Sequence, residues 1–151
     1  MELDAFKKFL HKYFKEKGFE KIKSKYYLKS EKFLCMIHFY RSYYGSTYYF
    51  DYYFFLGEFE KPYAINQESV ETYTPYVGRR FYFTEKDTYS CDYMEYNEEK
   101  LKVILDKNFT ERIKPPFEEG KKYLLKYFGT LYKSILPKEK VLPFLDEHSN
   151  G

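Results

Sequence analysis

Residues 39–55 have the sequence FYRSYYGSTYYFDYYFF, in which eleven of the seventeen side chains are Phe or Tyr. Aromatic side chains favour the pleated, half-buried surface of a β-sheet, so this stretch predicts two paired strands. The pair Gly45-Ser46 at its centre suits a two-residue hairpin turn. We therefore predict a long β-hairpin formed by residues 33–43 and 47–59.

The whole chain, residues 1–151, has the size and composition of one globular domain. A charged fraction of 32% beside a hydrophobic fraction of 44% is ordinary for a soluble protein. No apolar stretch reaches the length of a membrane span, and the acidic start Met1-Glu2-Leu3-Asp4 is unlike a secretory signal. We therefore expect a cytoplasmic protein with no membrane partner.

Helices are predicted on both sides of the strands. Apolar residues at helical spacing predict a first helix that begins near Leu3 and stops at Gly18. Asn97 is a candidate N-cap for a later helix, which the pair Pro115-Pro116 is expected to end. The other predicted elements are strands at 19–22, 26–29, 77–84 and 89–96, a helix at 118–135 and a short helical piece between Pro137 and Pro143.

This order of elements predicts an α+β domain. We expect an antiparallel sheet of four to six strands, with the N-terminal helix and two to three C-terminal helices packed on one face. The connection 57–75 is rich in charged and turn residues, so we expect a long and partly irregular loop there. Loops of that length often carry function.

The predicted two-residue turn also fixes which hairpin residues share a face of the sheet. It pairs His38 with Tyr53, and Tyr40 with Asp51. A slip of one residue on one strand would reverse that strand's assignment. The more apolar face, which we assign to the helices, carries Phe33, Cys35, Ile37, Phe39, Arg41, Tyr43, Tyr48, Phe50, Tyr52, Phe54 and Leu56.

The opposite face of the hairpin mixes aromatic walls with polar groups, as a small-molecule pocket does. The candidate binding residues there are His38, Tyr40, Tyr49, Asp51 and Tyr53. An ordinary amphipathic sheet face, whose Tyr hydroxyls reach water, has the same composition, and we favour that interpretation.

Arg79 and Arg80 form the one tandem arginine pair in the chain. A guanidinium grips carboxylate or phosphate groups through a rigid fork of donors. Neighbouring residues of a strand point to opposite faces, so only one of the two can enter a site on the sheet. An internal salt bridge to the acidic middle of the chain explains the pair equally well.

No metal, cofactor or catalytic residue is predicted. Cys35 and His38 are three apart, so in a strand they face opposite sides and cannot share an ion. Cys91 precedes Asp92, an acidic setting that weakens a thiol nucleophile. Two cysteines also do not make a disulfide framework, so we expect free, buried thiols. Asp51 and His38 alone are a weak signal for acid–base catalysis.

The charge is unevenly distributed along the chain. Residues 1–32 carry a net +5, residues 33–99 a net −6 and residues 100–151 a net +4. Exposed aromatic side chains on a sheet can stack on RNA bases, but an acidic sheet region repels phosphates. We therefore do not expect a nucleic-acid partner.

The order of features resembles a bacterial family catalogued as domain of unknown function 4304. The resemblance covers nearly the whole chain. It implies a small cytosolic bacterial α+β protein, and it brings no established activity or catalytic residues. The segments that carry it are Gly18-Phe19, Tyr26-Tyr27, FLCMIHFYRS at 33–42, TYYFDYYFFLGEF at 47–59, VGRRF at 77–81 and IKPPF at 113–117.

The leading hypothesis is a non-catalytic binding domain of an immunity type. It would dock a protein partner, for example a toxin, through an aromatic and acidic sheet surface or through the 57–75 loop. The alternative is a small-ligand-binding protein or modest enzyme that uses His38, Tyr40, Asp51, Tyr53 and one of the two arginines. A Tyr-rich face also leaves a homodimer open.

Overall fold

The computed structural model describes residues 1–43, 45–59, 75–84 and 88–146. The elements are α1 (Leu3–Glu16), β1 (Glu20–Ile22), β2 (Lys25–Lys29), β3 (Phe33–Arg41), β4 (Thr47–Leu56), β5 (Tyr76–Arg80), β6 (Cys91–Asp92), a 3₁₀ turn (Tyr93–Glu95), α2 (Glu98–Asn108), a π-helical turn (Phe109–Ile113), α3 (Lys114–Glu119), α4 (Lys121–Lys126) and α5 (Lys138–Leu145). They form the predicted α+β architecture.

All strand pairings of the sheet are antiparallel. The strand order is β1-β2-β3-β4-β5, and β6 pairs with the first residues of β4. Because β3 occupies one edge of β4, both β5 and β6 lie along its other edge. The predicted long hairpin of β3 and β4 is therefore the centre of the sheet.

The first helix ends where the sequence predicts. Gly18 has φ +95°, a conformation that glycine adopts without steric strain. The N–H of Phe19 donates to the carbonyl of Phe14 at 2.9 Å, which closes the C-terminal turn of α1 as in a Schellman motif. The apolar stripe of α1 is buried on the sheet.

The register of the central hairpin differs from the prediction by two residues. His38 pairs with Asp51, and Tyr40 pairs with Tyr49. The reason is a turn of four residues, 43–46, instead of two: the N–H of Ser42 donates to the carbonyl of Thr47 at 2.9 Å. A shift of two residues keeps each side chain on its predicted face. The predicted partners were wrong, and the predicted faces were correct.

The helices pack on one face of the sheet, as predicted. The main core joins residues of β3 and β4, such as Phe50 and Phe54, to α1, α2, α4 and α5. The opposite face, which we call the distal face, carries the alternate residues of the strands. A smaller buried cluster lies there, formed by Tyr27, Leu34, Met36, Phe55 and Tyr76.

The C-terminal helices depart from the prediction in two places. Pro115 and Pro116 do not stop the helical path; they lie in the first turn of α3, where a missing N–H loses no helical bond. The predicted helix 118–135 ends at Lys126. Gly129 then adopts φ +93°, and the chain turns back to pair with β5.

The predicted strand at 89–96 is mostly wrong as well. Only Cys91–Asp92 pairs with the sheet, and a 3₁₀ turn follows. The carboxylate of Asp92 accepts a hydrogen bond from the N–H of Met94 at 3.0 Å, and this side-chain contact favours the turn over a longer strand. Most of the predicted 57–75 loop lies outside the described residues.

Candidate functional site

The pairing of β5 with β4 decides which of the tandem arginines reaches the distal face. Arg80 pairs with Asp51, and Arg79 pairs with Tyr52 of the helix-covered face. Gly78 allows β5 to lie close to β4, because a Cβ atom at this position would lie 2.1 Å from the carbonyl oxygen of Tyr52. Arg80 is therefore the arginine of the distal face.

Three side chains of the distal face form a closed hydrogen-bond network around Asp51. Arg80 donates from Nε to Asp51 Oδ1 at 2.8 Å and from Nη2 to the hydroxyl of Tyr40 at 2.7 Å. The Tyr40 hydroxyl donates to Asp51 Oδ2 at 2.9 Å. Both carboxylate oxygens are thus engaged, and we call this set the Asp51 network.

Aromatic rings support the Asp51 network from the sides. The guanidinium of Arg80 lies 4.3 Å from the ring centroid of Tyr49 and 6.0 Å from that of Tyr40. Cation–π contacts of this kind hold a guanidinium in one orientation. The side chain of Asp51 is 12% exposed and that of Arg80 is 41% exposed, so the network has a mostly buried carboxylate and an accessible guanidinium.

His38 lies beside the Asp51 network without joining it. Its ring centroid is 5.1 Å from that of Tyr40. Burial lowers the pKa of His38, and the nearby charge of Lys25 lowers it further, while Asp51 opposes both effects. Because the oxygens of Asp51 bind Tyr40 and Arg80 instead, the hypothetical His38–Asp51 acid–base pair does not form among the described contacts.

The tyrosines of the site are held in their neutral form. Burial is the main cause of the raised pKa of Tyr40, and the charge and hydrogen bond of Asp51 add to it. Burial likewise raises the pKa of Tyr53 well above its usual range. Tyr53 lies beside Asp51 on the distal face but takes part in none of the three hydrogen bonds of the network; its ring packs on Phe55 and Tyr76 at centroid distances of 5.8 and 5.5 Å.

Arg79 is held on the other side of β5. It donates from Nη1 to the carbonyl of Thr130 at 2.6 Å and from Nη2 to the hydroxyl of Tyr89 at 2.7 Å. Its guanidinium also lies 5.2 Å from the Tyr89 ring centroid. The two arginines therefore approach the edge of the sheet from its two faces.

A groove of about 520 Å³ runs along β5, and we call it the β5 groove. Its described lining includes Asp51, Tyr53, Arg79, Arg80, Tyr89 and Lys133. Lys133 reaches it because its backbone pairs with Gly78, with N–H to carbonyl distances of 2.7 and 2.8 Å. No local pattern pointed to Tyr89 or Lys133, which were predicted in a strand at 89–96 and in a helix at 118–135.

The described part of the distal face is not acidic. The charged strand residues there are the cations Lys25, Lys29 and Arg80 and the acids Glu20, Asp51 and Asp92, so their charges cancel. The negative sum over residues 33–99 does not describe this face, because five of its eleven acids lie in 60–74 and 85–87, outside the described residues. Charge summed along a segment does not report the charge of one face.

The thiols are buried, as predicted. Cys35 and Cys91 are both free, and burial raises the pKa of Cys91 to about 12. Across the ranges that the structure covers, no group of three or more His, Cys, Asp or Glu side chains is placed to hold a metal ion. None of the helices in those ranges is both long enough and apolar enough to cross a bilayer.

An N-terminal helix, an antiparallel sheet with one aromatic hairpin at its centre and helices on one face define a small α+β domain. The sequence profile described as "Domain of unknown function (DUF4304)" matches residues 10–119, most of the chain. The chain belongs to that family, which confirms the resemblance. No curated protein and no solved structure matches the chain.

Proposed function

We propose that this protein is a non-catalytic binding domain that docks a protein partner on the distal face, around the Asp51 network. The observation that carries the proposal is the half-buried cluster of Tyr40, Tyr49 and Arg80. Tyrosine and arginine are the residue types, with tryptophan, that most often dominate the binding energy of protein interfaces.

The rigidity of the cluster supports the same proposal. Arg80 is fixed by hydrogen bonds to Asp51 and Tyr40 and by the Tyr49 ring, so little side-chain entropy remains to be lost when a partner binds. Its Nη1 group has no hydrogen-bond partner among the described residues and is available to an acceptor on a partner. A fixed guanidinium donor beside aromatic surface is a suitable anchor for a protein partner.

The chemistry of the site supports binding more than catalysis. The carboxylate of Asp51 is neutralised by a guanidinium, and burial disfavours the protonated form of His38 and the ionised form of Tyr40. A carboxylate base or a tyrosinate nucleophile needs the opposite arrangement, and His38, whose neutral ring can accept a proton, has no hydrogen bond in the described structure that would orient it. An immunity-type role, in which the domain neutralises a toxin, is one form that such binding takes.

Site-specific photo-crosslinking in cells that make the protein tests this proposal. A benzoylphenylalanine side chain replaces Tyr49 on the distal face, and in a matched control it replaces Val103, which is 67% exposed on α2. We expect a covalent adduct of one defined mass from position 49 and none from position 103. Mass spectrometry then identifies the partner as a protein other than this chain.

The purified pair provides the quantitative test. Arg80→Ala should weaken binding by at least about 30-fold, because removing a central anchor typically costs about 2 kcal/mol or more. Arg41→Ala is the control, since Arg41 lies on β3 with its side chain exposed and its Nε bound to Gly45. Equal crosslinking from both positions, or an adduct between two copies of this chain, would overturn the proposal.

A further inference from the structure

We infer that the β5 groove binds a small ligand in which an anionic group is attached to an aromatic or apolar body. This inference goes beyond protein docking and does not depend on it. The residues that decide it, Arg79 and Lys133, lie outside the Tyr40, Tyr49 and Arg80 cluster.

The charge of the groove is the first argument. Its described lining carries three cations, Arg79, Arg80 and Lys133, and one carboxylate, Asp51, so it has a net charge of +2. Asp51 is shared with Arg80 through the ion pair at 2.8 Å. Among the described residues no carboxylate forms an ion pair with Arg79 or Lys133.

Preorganised donors are the second argument. Arg79 is fixed through Nη1 and Nη2, and Arg80 through Nε and Nη2. In the described structure this leaves Nε of Arg79 and Nη1 of Arg80 without a hydrogen-bond partner. Guanidinium donors held in this way recognise carboxylate and phosphate oxygens with little loss of entropy.

The size and walls of the groove are the third argument. Its volume of about 520 Å³ falls within the range of roughly 300–1,000 Å³ that is typical of small-molecule sites. The rings of Tyr53, Tyr76 and Tyr89 and the side chain of Ile135 line it. Ile135 is 68% exposed, so its apolar surface is accessible to a ligand in the groove.

The backbone keeps these walls together. Lys133 is bound to Gly78 by two hydrogen bonds, and Thr130 accepts from Arg79, so the 130–135 segment is fastened to β5 at two points. Donors and apolar surface therefore line one groove whose two sides are held together. An anionic group near the arginines would place an attached flat body against the tyrosines and Ile135.

A matched pair of fluorescent probes tests the inference directly. 1-Anilinonaphthalene-8-sulfonate carries an anionic sulfonate on an aromatic body, and N-phenyl-1-naphthylamine has the same body without the charge. We expect saturable 1:1 binding of the sulfonate that weakens as salt is added, and binding of the neutral probe at least 10-fold weaker. Amide NMR signals of Gly78 and Ser134 should shift with the sulfonate, while that of Gly18 should not.

Variants then assign the binding to the groove. Lys133→Gln and Arg79→Gln should each reduce the affinity for the sulfonate probe about 5-fold or more. Lys100→Gln removes a charge from an exposed position of α2 and should leave the affinity unchanged. Far-UV circular dichroism checks that each variant is folded. Within the described residues the Lys133 side chain makes no hydrogen bond or ion pair, so its variant remains informative if Arg79→Gln fails to fold.

Three results would overturn the inference. They are the absence of saturable sulfonate binding, equal affinity for the two probes, and unchanged affinity in Lys133→Gln. The groove and the docking surface share Asp51 and Arg80, but their tests remain distinguishable, because the probe measurements depend on Arg79 and Lys133 and the docking experiments on position 49 and Arg80→Ala. Failure of the docking proposal would likewise leave the probe measurements valid.

Discussion

Arg80 and Asp51 face one another across the β4–β5 pairing, with Nε of the arginine 2.8 Å from Oδ1 of the aspartate. The two partners differ in exposure, since 41% of the Arg80 side chain but only 12% of the Asp51 side chain is accessible. Loss of Arg80 and loss of Asp51 therefore have different consequences. Removal of the arginine leaves a mostly buried carboxylate with only the hydroxyl of Tyr40, whereas removal of the aspartate leaves a cation that can turn to water.

We predict from this inequality that Arg80→Ala destabilises the fold more than Asp51→Ala. We expect the free energy of unfolding to fall by about 2–3 kcal/mol in Arg80→Ala and by about 1–2 kcal/mol in Asp51→Ala. The first loss is larger because it leaves a buried charged group without its partner. The double variant gives a coupling energy of about 1 kcal/mol, which water screening around Arg80 keeps small. Urea unfolding of the four proteins measures all three quantities, and equal or reversed losses would contradict this account.

Gly78→Ala should destabilise the protein by about 3 kcal/mol or more, because the added Cβ meets the backbone oxygen of Tyr52 at 2.1 Å and no side-chain rotation relieves the contact. Gly45→Ala is the matched control. Gly45 has φ +60° and open space around it, so the expected loss is only about 1 kcal/mol. Thermal or urea unfolding compares the two, and similar losses would show that β5 does not approach β4 this closely.

Asn108 and Asn97 stand near opposite ends of α2 and make different kinds of hydrogen bonds. Asn108 is fully buried, donates to the carbonyls of Tyr82 and Ile104 and accepts from the N–H of Tyr82. Asn97 caps the exposed N-terminus through the N–H of Lys100. We expect Asn108→Ala to cost about 2–3 kcal/mol and Asn97→Ala about 1 kcal/mol, since only the first leaves buried backbone groups unpaired.

The same unfolding measurements check the asparagine pair. Near-equal losses would mean that water replaces the contacts of Asn108 and that its site is more open than the structure indicates.

His38 should make the protein less stable in mild acid. Its pKa is lowered in the folded state, so the unfolded chain binds more protons once the pH falls below about 6.5, and stability is lost from there down through the lowered pKa. His38→Gln should reduce the loss of stability between about pH 6.5 and 5. Chemical denaturation at several pH values measures this loss.

Lys25→Gln provides the control for the electrostatic part of this effect. The Lys25 charge is the second cause of the lowered His38 pKa, after burial, so its removal should raise that pKa without restoring the usual value. NMR titration of the His38 ring measures it. A pKa of His38 that is unchanged by Lys25→Gln would assign the whole shift to burial.

Both thiols should be unreactive in the folded protein. Cys35 and Cys91 are fully buried, and burial raises the pKa of each, so the reactive thiolate is scarce at about pH 8. We expect no reaction with a disulfide reagent under native conditions and two thiols per chain after unfolding. Rapid reaction of one thiol in the native state would indicate that its side of the core opens.

Local patterns in the sequence determined much of the fold. The spacing of apolar residues set the first helix, and Gly18 ended it because glycine tolerates positive φ. Alternation along the aromatic hairpin set which face meets the helices, and a register error of two residues left that assignment intact. The same patterns carried the resemblance to the family, which the match to residues 10–119 confirms.

Local patterns failed where distant parts of the chain compete for the same residues. Helical spacing predicted a helix through 118–135. In the structure the chain reverses at Gly129, and Lys133 then pairs with Gly78 of β5. The length of the hairpin turn also escaped prediction, and with it the contact partners of Asp51. These outcomes depend on hydrogen-bonding groups supplied by strands far away in the sequence.

By itself, then, the sequence determined the class of fold, the faces of the central hairpin and a set of candidate residues that includes Tyr40, Tyr49 and Asp51. Only the tertiary structure decided that Arg80 joins them, that Arg79 does not, and that Lys133 completes a groove beside them. The physical reason is that the side-chain period of a strand is local, whereas the pairing of β4 with β5 and of Gly78 with Lys133 joins positions that the chain itself leaves far apart.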